Sequence, residues 1–381
     1  MGSPQRILEV ADHLARYFHQ GRRVVVIASA MAGMTNQLTQ YIHDLNLSQL
    51  SANHDTVLSA GEQIAAGLLA LALEKVGVPA RAWLGWQIPI RTTNSPTQAE
   101  ICHVETRPIF QALEEPCIPI IAGFQGLSSQ NRITTLPRGG SDITAIHVAD
   151  ALGVKECFIY TDVAGVYPMN PCHICDVTPW ETLHYAHMET LSYLGAKVIH
   201  SDAVKHGQQK NIDLWVQTLI GTHSATRIGT DCNLLPHFTA CVDCVGWWIA
   251  CQNAQEWSLC QKFLHQMHLK GETFSLQQSA QGRGLFIPGQ TLKIQGCPLP
   301  YQSVSRLSLV SDAYAPWSSF YAQGMRRVFQ TTQPHGWRWD LKKNALQWVI
   351  DTKHVACVLR PLVLILEESQ TAEKRNYYEN T

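Results

Sequence analysis

The chain carries little charge. Lys, Arg, Asp and Glu make up 15% of its 381 residues, and 29 basic against 30 acidic side chains leave a formal net charge of -1. So sparse and even a distribution creates no overall field toward nucleic acid or an anionic membrane, and it is too thin for a coiled coil. No nucleic-acid partner is expected. Uninterrupted apolar runs are also missing at the roughly 18 residues that cross a bilayer, so no membrane partner is expected either. Met1 to Arg6 hold no apolar core of a secretory leader. Cysteine, at 12 residues, is far below the density of a disulfide scaffold; reduced thiols and a cytoplasmic location are the expectation. Apolar side chains are plentiful, at 45% of the chain. That suits a well-packed core, and the length predicts two or three domains.

Ser3 and Pro4 read as the cap and first residue of a helix whose apolar positions run Ile7, Val10, Ala11, Leu14, Phe18 and stop at Gly21. Val24 to Ala28 is a continuous apolar run, the pattern of a strand covered on both faces. The alternation continues with a helix over 61–75, a short strand Ala80–Leu84, a buried strand Ile118–Ala122, a helix at about 142–152, a strand Cys157–Thr161, a helix over 181–193 and a strand Leu214–Gln217. This predicts a layered α/β domain. Gly221, Thr222, Gly229 and Thr230 mark a polar connection. Beyond it, strands at Phe238–Ala250 and Val304–Val310 are each followed by a helical stretch, 256–268 and 317–330, and then by further strands. A β-α-β-β pattern met twice predicts two small α+β modules. Residues 367–381 read as a polar tail.

The candidate chemistry sits at the ends of the first domain's strands, where open α/β sheets place their sites. Ser29-Ala30-Met31-Ala32-Gly33-Met34-Thr35-Asn36 follows a buried strand with small and hydroxyl residues that let amides approach an anion. Ser59-Ala60-Gly61-Glu62 opens a helix with an acid. Pro137-Arg138-Gly139-Gly140-Ser141-Asp142 joins a fork cation, a double-glycine turn and an acid at a helix start. Thr161-Asp162-Val163-Ala164-Gly165-Val166-Tyr167 ends a strand in a turn followed by an aromatic. No metal centre is expected. The pairs Cys172/Cys175 and Cys241/Cys244 have zinc-like spacing, but the second lies on an apparent strand, where i and i+3 face opposite ways.

Together with Gly195-Ala196-Lys197-Val198-Ile199-His200, these blocks resemble, in order and spacing, the aspartate kinases of the amino-acid kinase family over residues 1 to about 222. The resemblance implies an amino-acid kinase fold, a mostly parallel sheet between helix layers, over 1–225. It implies a divergent pair of ACT-like regulatory or dimerisation modules over 235–366, with a homodimer formed through that half. The implied reaction moves a phosphoryl group from Mg-ATP, so ATP and Mg2+, to the β-carboxylate of L-aspartate, giving 4-phospho-L-aspartate. This is the first step of lysine, threonine and methionine biosynthesis. By the same resemblance Arg138 holds the substrate α-carboxylate, Glu62 and Asp142 face its ammonium, and Ser29, Thr35 and Ser141 lie near substrate and phosphates. Thr161, Asp162, Tyr167 and Lys197 line the nucleotide site.

The chain also departs from the family pattern. It starts at a helix that family members place after a strand carrying Lys-Phe-Gly-Gly-Thr-Ser, which implies that Met1 is an internal methionine. Pro137 replaces a Gly, Cys172 an Arg, Gln217 an Arg and Ser201 a Pro. Three readings follow: an active aspartate kinase, a catalytically inactive paralogue serving as a regulatory or interaction subunit, and another acid kinase of the same fold. The preserved substrate residues favour the first.

Overall fold

A computed structural model describes residues 2–46, 50–168, 171, 177–193, 196, 198–219 and 224–232. It also describes the backbone of 238–251, 272–276, 283–288, 301–311, 336–340 and 345–351, and residues 255–256, 258–259 and 261–262. The elements run α1 (Pro4–His19), β1 (Val26–Ala28), α2 (Met34–Asp44), α3 (Ala52–Leu58), α4 (Ala60–Lys75), β2 (Ala80–Trp83), β3 (Ile90–Thr92), β4 (Ile101–Val104), α5 (Arg107–Glu114), β5 (Ile118–Ala122), β6 (Gln125–Leu127), β7 (Ile133–Thr135) and α6 (Gly140–Ala151). Then follow β8 (Glu156–Tyr160), β9 (Thr182–His184), α7 (Tyr185–Tyr193), α8 (Ser201–Lys210), β10 (Asp213–Gln217) and β11 (Ala225–Gly229). Strands β12 (Phe238–Cys251), β13 (Glu272–Leu276), β14 (Arg283–Pro288), β15 (Tyr301–Ser311), β16 (Gly336–Asp340) and β17 (Ala345–Asp351) close the list. The chain divides into two units: residues 1–164 with 199–230, and residues 165–198 with 231–381.

In the first unit β5 pairs in parallel with both β1 and β2. All five residues of β5 are buried, which is why it reads as one continuous apolar run. Its alternation divides two cores. Ile118, Ile120 and Ala122 pack with Ile7, Ala11 and Leu14 of α1 and Ala66, Leu69 and Leu73 of α4. Ile121 packs on the other face with Ile88, Ile90, Ile109 of α5 and Val148 of α6. The β1-β5-β2 sheet is therefore a parallel layer between helices. A second parallel pair, β8 with β10, is extended by antiparallel β11. Strands β4-β3-β6-β7 form a small mixed sheet.

Several local expectations hold. Ser3 caps α1 by accepting from the Arg6 amide, and Gly21 ends that segment at φ 74°. Others are corrected. The helix expected over 181–193 begins only at Tyr185, because Thr182–His184 are taken into a strand. The polar connection near 225 contains β11, whose Leu214–Ile228 and Val216–Thr226 pairings bury its alternate residues. Residues Ala52–Lys75 form a 24-residue helical stretch apolar enough in composition to cross a membrane, with half of its apolar window buried in the fold. The helix, packed on α1, β2 and β5, supplies the core, which accounts for its apolar composition.

In the second unit, β12 to β17 close a barrel in the order β12-β14-β13-β16-β17-β15, all antiparallel. The two strand triplets are equivalent: β14 joins β12 and β13 as β17 joins β15 and β16. The doubled strand pattern is thus present, but its strands share one closed sheet rather than forming two separate ones. Each triplet alone would leave two edges with unpaired amides and carbonyls, and the β12–β15 and β13–β16 pairings remove them. Of the expected helices, 317–330 lies outside the described residues, and 256–268 is described only in part. The tail 367–381, Cys172, Cys175 and Asn170 also lie outside them.

Candidate functional site

Three segments of the first unit meet around the carboxyl ends of β1 and β5. The first is the Ser29–Gly33 loop between β1 and α2. A Cβ on Gly61 would lie 3.0 Å from the Ala30 Cβ and 3.4 Å from Met34, so glycine there lets α4 approach this loop. The second segment is the start of α4, where Glu62 reaches the Ala30 amide through Oε1 at 3.2 Å. The third is the Gly139–Asp142 turn into α6. A Cβ on Gly123, just past β5, would meet Ile27 of β1 at 2.9 Å and the Ser141 Oγ at 3.0 Å. Phe124 follows at φ 65°, its amide donating to the Thr144 hydroxyl of α6 at 3.1 Å. Helices α2 and α6 both begin at a left-handed glycine, Gly33 and Gly139, with no side-chain cap. The Met34 amide turns back to the Met31 carbonyl at 3.0 Å, so the amides that follow it in α2, with the first amides of α6, are the ones that face an anionic ligand.

The charged residues in this arrangement differ sharply in setting. Glu62 is buried, with Oε2 lacking a partner among the described residues. Burial pushes its carboxyl up to about 7, against the bond from Ala30. Asp142 is raised by burial to about 6, opposed by the backbone amide of His200. Both are acids that gain from a cation. Arg138 is exposed and makes no ion pair with a described residue. Its fork is free to take a carboxylate or phosphate. Ser29 is exposed, and Thr35 and Ser141 are half-buried. Burial, and secondarily Asp142, push the Cys157 thiol up to about 12, which leaves it inert as a nucleophile.

The residues expected to line a nucleotide site fall in both units. Thr161 and Asp162 follow β8 at the carboxyl end of the β8–β10 pair. The Thr161 amide donates to the Gln217 carbonyl at 2.9 Å and its hydroxyl to Asp162 at 3.0 Å. Tyr167 belongs to the second unit and is half-buried. Lys197 lies outside the described residues.

Sequence reasoning missed a supporting network. Gln125 is buried; its amide donates to the Ser59 carbonyl at 3.1 Å and accepts from Gln63 at 3.4 Å, tying β6 to the start of α4. Asp55, fully buried, accepts from the Thr135 hydroxyl at 2.7 Å and the Thr97 amide at 2.9 Å. The signal for the first was present as Gly123-Phe124-Gln125-Gly126, a polar residue between glycines directly after a buried strand.

The amino acid kinase family matches residues 1–218. An aspartokinase of Rickettsia bellii (strain RML369-C) is 39% identical over 212 residues, 55% of this chain and 52% of that protein. An aspartokinase of Geobacillus stearothermophilus is 35% identical over 243 residues, 62% and 58% of the two chains. The chain spans about half the length of the curated relatives it matches. Among solved structures, E. coli aspartokinase III in complex with aspartate and ADP (R-state) superposes with a TM-score of 0.69 at 17% identity, covering 94% of this chain and 96% of that one. The same enzyme in complex with lysine and aspartate (T-state) gives 0.71 at 18%, covering 90% and 92%. At such identities the likeness is one of fold.

Proposed function

Because the chain belongs to the amino acid kinase family, we propose that it is an aspartate kinase, transferring the γ-phosphoryl group of Mg-ATP to the β-carboxylate of L-aspartate. The observation that carries this reading is the meeting of the Ser29–Gly33 loop, Glu62 and the Arg138–Asp142 turn at the ends of adjacent parallel strands. A zwitterionic amino acid needs a fork cation at one end and acids at the other. Arg138 takes the α-carboxylate, Glu62 and Asp142 take the ammonium, and the β-carboxylate then points toward the open amides of α2 and α6. Ser29, Thr35 and Ser141 donate hydroxyls to substrate and phosphates. Thr161, Asp162, Tyr167 and Lys197 form the nucleotide side of the reading.

The transfer is a displacement at phosphorus. A β-carboxylate oxygen forms the new P–O bond while the bond to the β,γ-bridging oxygen breaks and leaves with ADP. The protein's share is positioning and charge neutralisation, and no covalent protein intermediate is required. Among the described residues no three His, Cys, Asp or Glu side chains cluster. In this reading Mg2+ would come as part of the nucleotide substrate and would offset the charge of its phosphates.

The product, 4-phospho-L-aspartate, would serve lysine, threonine and methionine synthesis in the cytoplasm. The same reading gives the catalytic domain residues 1–225, and 235–366 as paired ACT-like modules that join two copies, with 367–381 as a tail. The equivalence of the β12–β14 and β15–β17 triplets supports a duplicated module there. The test is ADP release by the purified chain with and without L-aspartate. Aspartate binding with at most weak aspartate-dependent turnover is expected, since Cys172 stands where the family pattern has an Arg; ATP hydrolysis indifferent to aspartate, with no aspartate binding, overturns the reading.

A further inference from the structure

Glu62 is 4% exposed; its carboxyl accepts from the Ala30 amide and from its own amide, and Oε2 is left without a partner among the described residues. Its surroundings are uncharged. Ala30, Met34 and Leu38 crowd the adjacent Gly61, and Ser59, Gln63 and Gln125 bond to one another. Helix α3 carries His54 and Asp55, α2 carries Tyr41, His43 and Asp44, and Arg138 and Asp142 flank the start of α6; no charged group shifts Glu62. A buried carboxylate without a cation pays a large desolvation cost, and taking a proton is the ordinary way out.

We infer that Glu62 holds a proton while the substrate site is empty and releases it to solvent when a cationic ammonium group docks against it. This deepens the aspartate reading and rests on it. In the exchange the carboxylic O–H bond breaks, the proton passes to water or buffer, and the carboxylate left behind pairs with the incoming ammonium. Burial sets the empty-site value at about 7, so both forms exist near neutrality. Substrate affinity then falls as the pH drops below 7, approaching tenfold per pH unit, because each binding event must expel a proton.

The test uses the full chain and L-aspartate in isothermal titration at pH 7, in two buffers of different ionisation enthalpy. A fraction of a proton should be released per aspartate bound, the larger part from Glu62 and the smaller from Asp142, whose carboxyl is raised less. In Glu62→Gln the larger part should vanish. Equal apparent enthalpies in both buffers overturn the inference. A ligand-free arm follows side-chain carboxyl carbons by NMR in the wild type and Glu62→Gln. The resonance missing from the variant should titrate near 7, and titration at the ordinary value of 4.5 overturns the inference even where aspartate binds. Absence of binding heat in every buffer overturns the aspartate reading, and the carboxyl titration then judges the proton on Glu62 alone.

Discussion

Gly139 lies directly against the Cβ of His200. The contact presses the turn that carries Arg138 and Asp142 onto the residue that caps α8, and the His200 amide bonds to Asp142 from the same place. At φ 75° Gly139 also adopts a left-handed backbone that favours glycine. Gly139→Ala therefore meets strain and overlap together. A loss of about 2–4 kcal/mol is expected, measured by urea unfolding. The KM for aspartate should rise more than that for ATP; equal stability and unchanged KM would place the turn elsewhere.

Glu62 gives the fold a pH dependence of its own. Its folded value of about 7 exceeds the ordinary 4.5, so between these values the folded chain keeps a proton that the unfolded chain has lost. Stability then falls as the pH rises from 4.5 to 7, by on the order of 3 kcal/mol from this group. Thermal melts across that range should show a flatter profile for Glu62→Gln than for the wild type.

His147 and His206 act with the opposite sign. Their rings stack at 3.7 Å between centroids with planes 14° apart, linking α6 to α8. Burial first, then the charge of His206, lowers His147 to about 4; Lys210 adds to this and Asp150 opposes it. His206 is lowered as well, chiefly by burial. As the pH falls below 6.5 the unfolded chain takes up protons that the stacked pair refuses, and stability declines toward pH 4. His147→Phe keeps a ring in the stack and should recover about 2 kcal/mol of that loss, allowing for solvent at a half-buried site. Denaturant midpoints at pH 5 and pH 7 measure it.

Arg138→Lys keeps a positive charge and removes the fork. Affinity for L-aspartate should fall at least tenfold, about 1.4 kcal/mol, in calorimetric titration with an ATP analogue present. Equal affinities would remove Arg138 from the substrate site. Since Arg138 is exposed and makes no ion pair with a described residue, the melting temperature should stay unchanged.

Much of the first unit was legible in the sequence. Ile118–Ala122 declared itself by an unbroken apolar run, α1 by its cap and 3.6-residue period, and the site turns by glycines beside chemistry-bearing residues. These are short-range signals, written within a few residues of where they act. Thr182–His184 misled because three residues hold too little period to separate a strand from the start of a helix. Gln125 escaped because its role depends on Ser59 and Gln63, more than 60 positions away.

The sequence alone determined the layered α/β plan, the doubled strand pattern beyond residue 238 and the order of the site segments, since all three follow from local periodicity and turn chemistry. It could not tell Glu62 from an ordinary acid in a helix's first turn. Only the tertiary structure decided that Glu62 is dry while Asp162 stays exposed, that β5 lies between β1 and β2, and that two strand triplets close one barrel. The physical reason is shared: desolvation and the pairing of strand edges depend on which distant segments arrive to exclude water, and packing over the whole unit settles that.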